Sequence, residues 1–375
     1  MKKFCLVAFS LMISAFMCRL VAKDIYVSTS FREPANEGLR FIYSYDGLKW
    51  HEIKGTFLKP EVGKQKVMRD PSIVKGPDGT FHLVWTSSWR DDKGFGYASS
   101  KDLIHWSEER FITVMDDPTT VNVWAPELFY DDVKKQYMII WASCIPGKFP
   151  DEQEDHKNNH RLYYTVTKDF KTFSKAKLLI DPGFSCIDAT LIKRGNKDYI
   201  MVLKDNTRPE RNIKVAFATS PYGTWSKASE PFTEKFCEGP STAYINGCYY
   251  IYYDSYRRKI YGSHRTKDFK TFQDQTGAVK FPEGHKHGTV FMASEDIVNN
   301  LKRYNTDAVH YTGKTIARPA RHDGGLSPVV GVHSIQTMRG EKGWLYNHQP
   351  MLAYWKGKFY MHYLTDPRSE HEPPG

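Results

Sequence analysis

Five short segments recur at long, similar intervals along this 375-residue chain, and they restrict the fold more than any other feature. They are Met68-Arg69-Asp70-Pro71-Ser72, Val123-Trp124-Ala125-Pro126, Cys186-Ile187-Asp188-Ala189-Thr190, Cys237-Glu238-Gly239-Pro240 and Lys286-His287-Gly288-Thr289. With Asp70, Trp124, Asp188, Glu238 and His287 taken as lead positions, the intervals are 54, 64, 50 and 49 residues. Four of the leads precede an alternating apolar run, then a turn (Asp78-Gly79, Asp132, Asn196, Asn246-Gly247), then a second run. A unit of this length cannot bury its own apolar face, so copies of it must stack in an array or close a ring. In a ring, equivalent positions meet at the axis, which would bring Asp70, Asp188 and Glu238 into one pocket.

A second repeat supports the first. Ser44-Tyr45-Asp46-Gly47-Leu48-Lys49-Trp50 matches Ser100-Lys101-Asp102-Leu103-Ile104-His105-Trp106. Thr167-Lys168-Asp169-Phe170-Lys171-Thr172-Phe173 matches Thr266-Lys267-Asp268-Phe269-Lys270-Thr271-Phe272, and Ser220-Pro221-Tyr222-Gly223-Thr224-Trp225 is a looser copy. Trp106, Phe173, Trp225 and Phe272 follow Asp70, Trp124, Asp188 and Glu238 by 36, 49, 37 and 34 residues. The lead at His287 has no such turn after it, and the turn at Trp50 has no lead before it. The economical solution is a ring in which residues 24–50 complete the blade that begins at His287, a closure that removes exposed sheet edges.

The runs themselves are β-branched or aromatic and bounded by Gly, Asp, Asn or Lys, as in Tyr199-Ile200-Met201-Val202-Leu203 and Tyr249-Tyr250-Ile251-Tyr252-Tyr253. That is strand chemistry. No helical stripe precedes residue 290 or so. The predicted fold is all-β: a five-bladed β-propeller over residues 23–296, closed by N-terminal strands and followed by a C-terminal extension. Residues 297–343 read as a linker or a strap on the ring. Residues 344–375 hold one more hairpin, the truncated start of a second β domain, because one hairpin cannot bury its own face.

Residues 1–22 read as a secretory signal peptide, with Lys2 and Lys3 ahead of an apolar stretch over residues 4–17 and cleavage near Ala22. This predicts a secreted or periplasmic protein. A lipid anchor at Cys18 is the weaker reading, since Phe16 and Met17 are not the small residues such a site favours. No other stretch is long and apolar enough to span a bilayer. Beyond the signal stand Cys144, Cys186, Cys237 and Cys248, too few for a disulfide scaffold in so long a chain. Cys186 and Cys237 read as buried thiols beside the pocket, with a bridge between them as the lesser alternative. The formal charge is +10, but basic and acidic residues alternate, as in Lys168-Asp169-Phe170-Lys171, and no basic arm exists. The pattern argues for solvated turns and against a nucleic-acid partner.

Three carboxylates converging on one pocket point to glycoside hydrolysis. One carboxylic acid protonates the leaving oxygen, a second carboxylate activates water or attacks the sugar, and a third adjusts their proton affinities. Aromatic content of 14% leaves rings to spare for a sugar-stacking wall. Each acid by itself would read as a turn residue. Their shared place in the repeat is what favours chemistry.

In their order, Arg69-Asp70-Pro71, Trp124-Ala125-Pro126-Glu127, Ile187-Asp188-Ala189, Glu238-Gly239-Pro240 and His287-Gly288-Thr289-Val290-Phe291 resemble the signature of glycoside hydrolase family 43, over residues 24 to about 292. The resemblance implies an inverting five-bladed propeller, active on arabinofuranosyl, xylosyl or galactosyl units of plant-type polysaccharides. It implies Asp70 as general base, Glu238 as general acid and Asp188 as modulator of the acid's pKa. It implies Trp124 as a wall of the sugar subsite and His287 as a central histidine beside a water or a calcium ion, with no cofactor required. The family commonly has Pro where Ala189 stands and Asp where Glu127 stands, so Glu127 reads as structural. Arg69, Trp89, Arg90, Lys204 and Arg257 are candidate substrate contacts. Residues 344–375 resemble the start of a sialidase-like propeller. Two alternatives stay open: a retaining fructosidase-like enzyme, disfavoured because Arg-Asp-Pro opens the series, and a carbohydrate-binding propeller without turnover.

Overall fold

The computed structural model describes residues 24–149 and 153–304, and the backbone of residues 346–355 and 358–366. Nineteen strands make five sheets. The first three are β1 (Asp24–Ser30), β2 (Leu39–Ser44) and β3 (His51–Leu58). Next come β4 (Arg69–Lys75), β5 (Phe81–Thr86), β6 (Gly94–Ser100) and β7 (Arg110–Thr113). The third group is β8 (Trp124–Asp131), β9 (Gln136–Cys144), β10 (His160–Thr167) and β11 (Lys177–Ile180). The fourth is β12 (Cys186–Gly195), β13 (Asp198–Asp205) and β14 (Asn212–Ala218). The fifth is β15 (Cys237–Ile245), β16 (Cys248–Ser255), β17 (Ile260–Thr266) and β18 (Gln273–Asp274), followed by β19 (Val290–Ser294). All pairings are antiparallel, and four sheets are simple meanders.

The remaining sheet has the order β19-β1-β2-β3, with Asp24 opposite Ser294 and Ser28 opposite Val290. The last inner strand is therefore completed by the first three strands of the chain, the closure that the unpaired turn at Trp50 implied. Inner strands neighbour one another around the axis, β4 with β8, β8 with β12, β12 with β15 and β15 with β19. The ring shuts where Thr289 Oγ1 meets Ser72 Oγ at 3.0 Å and Thr29 Oγ1 donates to the Pro71 carbonyl. The described domain is a five-bladed β-propeller.

The aromatic turns have one physical cause. In four of the five, a Ser or Thr hydroxyl accepts from the backbone N–H three residues on: Ser44 from Gly47 at 2.9 Å, Ser100 from Leu103 at 2.8 Å, Thr167 from Phe170 at 2.9 Å and Thr266 from Phe269 at 2.8 Å. The Asp carboxylate two residues after the hydroxyl accepts from two further amides, Lys171 and Thr172 in the case of Asp169. These are local side-chain caps of the kind Ser, Thr and Asp favour. They place Leu103, Phe170 and Phe269 in left-handed backbone while burying all three side chains. Between blades the core is aliphatic and aromatic, with Trp85 and Trp141 fully buried.

One local result differs from the reading of the sequence. Residues 297–303, assigned to a linker or strap, belong to helix α1 (Glu295–Arg303), capped by Ser294 Oγ accepting from Ile297 N–H. Its Val298 and Leu301 join the core around Ile25, Val27 and Phe57. Cys186 and Cys237 are buried free thiols, as the sequence reading preferred, and Cys144 and Cys248 are free as well, so the lesser alternative of a Cys186–Cys237 bridge is absent. Burial raises Cys186 to about 12 and Cys237 to about 11, which leaves both protonated and inert. Further on, β20 (Tyr346–Trp355) pairs antiparallel with β21 (Lys358–Asp366) as a hairpin. The signal-peptide reading falls on residues outside those described. Among the described residues no helix is long and apolar enough to cross a membrane.

Candidate active site

Four of the five inner strands, β4, β8, β12 and β15, start the same way. Asp70, Ala125, Asp188 and Gly239 all have positive φ, between 46° and 59°, and each sits at a register shift in its sheet. A left-handed residue here turns the backbone at the axial end of the strand, and it is costly for a side chain other than Gly. Two of the four are nevertheless aspartates, which marks the position as one kept for chemistry. At Gly239 the reason for glycine is steric as well: a Cβ there would come 2.1 Å from the His287 ring.

The alignment corrects the repeat by one residue. Asp70 and Asp188 occupy the kink, whereas Trp124 and Glu238 stand immediately before it, opposite Ala142 and Asp254, as Arg69 stands opposite Thr86 and Ile187 opposite Lys204. Convergence survives this offset because the ends of the strands are close. Asp70, Trp124, Asp188, Glu238 and His287 all line one cavity of about 320 Å³, together with Arg69, Trp89 and Lys204. Arg257 does not join them; its guanidinium stacks on Phe236 at 3.5 Å. Arg90 is exposed and also outside the cavity.

The three carboxylates have unlike surroundings. Asp70 Oδ1 lies 2.9 Å from His287 Nε2, and its Oδ2 accepts from Thr86 Oγ1 at 2.8 Å. Burial alone would push this carboxyl up, but the bond from His287 and the charges of Arg69 and His287 outweigh it and hold Asp70 down at about 2. Glu238 Oε2 accepts from the buried Lys204 ammonium at 2.8 Å, and that charge outweighs burial and lowers the carboxyl. Among the described residues Asp188 has no cation at ion-pair distance, and it accepts from the Gly239 N–H at 3.2 Å. Burial, with repulsion from Glu238 and Asp70, raises it to about 6 despite the charges of Lys204 and His287. The pocket thus holds carboxylates driven apart in proton affinity, the signature of acid–base work.

His287 is an imidazolium. Burial opposes its charge, but Asp254 and Asp70 raise it to about 10. Its Nδ1 is 3.7 Å from Asp254 Oδ2, an ion-pair distance rather than a hydrogen bond. Glu238, Asp254 and His287 lie close enough to resemble a metal cluster. The donor set does not suit a calcium ion, which takes six to eight oxygens. One of the three members offers nitrogen, and the two carboxylates are already engaged, Glu238 by Lys204 and Asp254 by Lys286, each at 2.8 Å. Beneath the pocket, Glu127 accepts from Thr190 at 2.9 Å and Thr289 at 3.1 Å, and burial raises its carboxyl to about 7. It ties β12 and the segment leading into β19 to β8.

The wall is aromatic. Trp124 donates Nε1–H to the Trp89 carbonyl at 3.0 Å, stands edge-on to the Trp89 ring and stacks on His160 at 4.8 Å. Arg69 lies 3.9 Å over the Trp89 ring and pairs with Glu33. The long β9–β10 connection adds Glu154, Asp155, His156 and Asn158 to the lining. Glu154 is held by His160 at 2.7 Å and by Ser185. Sequence reasoning missed this loop, Asp254 and Tyr256. The loop had a signal in the 64-residue interval between Trp124 and Asp188, the longest of the four.

The profile of a probable glycosyl hydrolase domain related to family 43 matches residues 24–296. The chain belongs to this family of glycoside hydrolases. A second profile, for a BT_1020-like N-terminal β-propeller, matches residues 307–375. The chain is 28% identical over 158 residues to an alpha-L-arabinofuranosidase of Bifidobacterium longum, a match covering 35% of this chain and 14% of that protein. Among solved structures it is similar to a thermostable family-43 glycoside hydrolase, at 17% identity, TM-score 0.46, covering 61% of this chain and 80% of the other. It is also similar to an alpha-L-arabinofuranosidase from Lactobacillus brevis, at 19% identity, TM-score 0.43, covering 55% and 72%.

Proposed function

We propose that the axial pocket removes terminal arabinofuranosyl or related pentosyl or galactosyl units from plant-type polysaccharide side chains, outside the cytoplasm and with inversion. The observation that carries this reading is the trio Asp70, Asp188 and Glu238 in one pocket under unequal electrostatic control. Asp70, ionised at any working pH and fixed by His287 and Thr86, is the base that activates water. Glu238 is the acid that protonates the leaving oxygen. Asp188, the carboxyl nearest neutrality, shares the pair's proton with it, and two such coupled groups titrate as one unit. Lys204 keeps Glu238 ionised in the free site, so the proton reaches Glu238 once a bound sugar excludes water and competes for the ammonium.

The pocket volume of about 320 Å³ is at the small end of ligand sites, roughly 300–1,000 Å³. That supports action on a terminal unit, with the faces of Trp124 and Trp89 against the ring. The arabinofuranosyl preference draws support from the relative in Bifidobacterium longum, of which this chain spans 14%.

The test is a panel of aryl α-L-arabinofuranosides, β-D-xylosides and β-D-galactosides, assayed beside Glu238→Gln. Turnover of one class by the wild type, with loss of about 10²–10⁴-fold in Glu238→Gln, is the expected result. Glycan binding with no turnover of any class would assign the pocket to recognition alone.

A further inference from the structure

A second cavity of about 640 Å³ lies beside the active pocket. It is formed where β16 ends, where β17 begins, and by the chain running back to His287 over residues 276–286. Tyr256 lines both cavities. Asp254 lines the second cavity, where its Oδ2 is 2.8 Å from Lys286 Nζ, and the same oxygen lies 3.7 Å from Nδ1 of His287, which lines the axial pocket. The two spaces therefore adjoin at Tyr256.

The lining is that of a saccharide site. One wall is a stack of rings, Tyr261 on Phe281 at 3.9 Å and Phe281 on Trp50 at 5.0 Å, which holds the cavity open rigidly. The apolar side of the rim is Ile260, 37% exposed. Lys259, Lys280 and Glu283 line the cavity with no hydrogen-bond or ion-pair partner of their side chains among the described residues. A concave, ring-walled space with a few unspent polar groups suits a ligand rich in hydroxyls.

Direction follows from the strand register. Glu238 pairs with Asp254 across β15 and β16, so the proposed acid stands on the side of the axial pocket that adjoins the second cavity. A general acid must touch the leaving oxygen. We propose that the second cavity is a leaving-group subsite, which receives the next sugar of the glycan whose terminal unit sits in the axial pocket. This rests on the glycosidase reading above.

The test compares a glycosyl fluoride, which has no sugar on the leaving side, with the di- and trisaccharide of the same glycosyl unit. Ile260→Trp fills the rim, and Lys259→Ala with Glu283→Ala removes its polar groups without adding bulk. Each variant is expected to lower kcat/KM on the oligosaccharides by about tenfold, the value of roughly one good contact, while the fluoride stays within about twofold. Equal losses on fluoride and oligosaccharide, or no loss on the oligosaccharide in either variant, would overturn the subsite. A wild type that turns over neither substrate would instead overturn the glycosidase reading itself.

Discussion

Carboxylates stand at both the outer turns and the axis of this propeller, and they serve opposite ends. At the turns, Asp46, Asp102, Asp169 and Asp268 accept from backbone amides and are held low chiefly by those bonds or despite slight burial. They are solvated, and their work ends at shaping the turn. At the axis, Asp70, Asp188 and Glu238 answer to side-chain charges instead, His287, Arg69 and Lys204. There the same functional group spreads from about 2 for Asp70 to about 6 for Asp188. A carboxylate paired with the backbone is structure; carboxylates paired with one another and with movable cations are chemistry.

The largest test of that contrast is Asp70→Asn. It should lower kcat by about 10²–10⁴-fold on any responsive glycoside, with far-UV circular dichroism unchanged. The same exchange at Asp102 should leave kcat intact, and an inactive Asp102→Asn would erase the distinction.

Lys204→Met sharpens the electrostatic half. In the wild type, activity should fall as pH rises past about 6, where the proton of the Asp188–Glu238 couple is lost. Removing the ammonium removes the charge that lowers Glu238, so its carboxyl rises and the basic limb should move to higher pH by about one unit. The pH–rate profile of kcat/KM reads this directly, and an unmoved limb would mean that Lys204 does not govern the acid.

At the turns the expected effects are smaller and fall on stability. Asp102→Ala removes acceptors for Ile104 and His105 N–H, and should lower the melting midpoint by about 2–4 °C with kcat unchanged. The smallest effect is expected from chelation. Because Lys204 and Lys286 already engage Glu238 and Asp254, EDTA should change activity by less than about twofold. Inactivation reversed by calcium would show that a metal displaces those cations.

Much of the fold was legible because each blade repeats its punctuation. The Ser/Thr-Asp turns are visible because one local hydrogen-bond pattern needs those residue types at that spacing. Ring closure was legible because the turn at Trp50 lacked a lead and His287 lacked a turn. The offset of one residue at Trp124 and Glu238 was harder, since a left-handed kink is a backbone fact that Asp70, Ala125, Asp188 and Gly239 share without sharing a side chain. The prolines after Asp70, Ala125 and Gly239 were its trace. Asp254 and Tyr256 left no trace, because they reach the pocket from the far end of a hairpin. Helix α1 was missed for its length, although Ser294-Glu295-Asp296 is a capped start.

The central claim is that Asp70 directs water to the face of the sugar opposite Glu238. Following the first-formed anomer by ¹H NMR, while the wild type hydrolyses its best aryl glycoside, tests it most directly. The account predicts that the inverted anomer appears first and then mutarotates. First appearance of the retained anomer would contradict it, and would make one of the axial carboxylates a nucleophile.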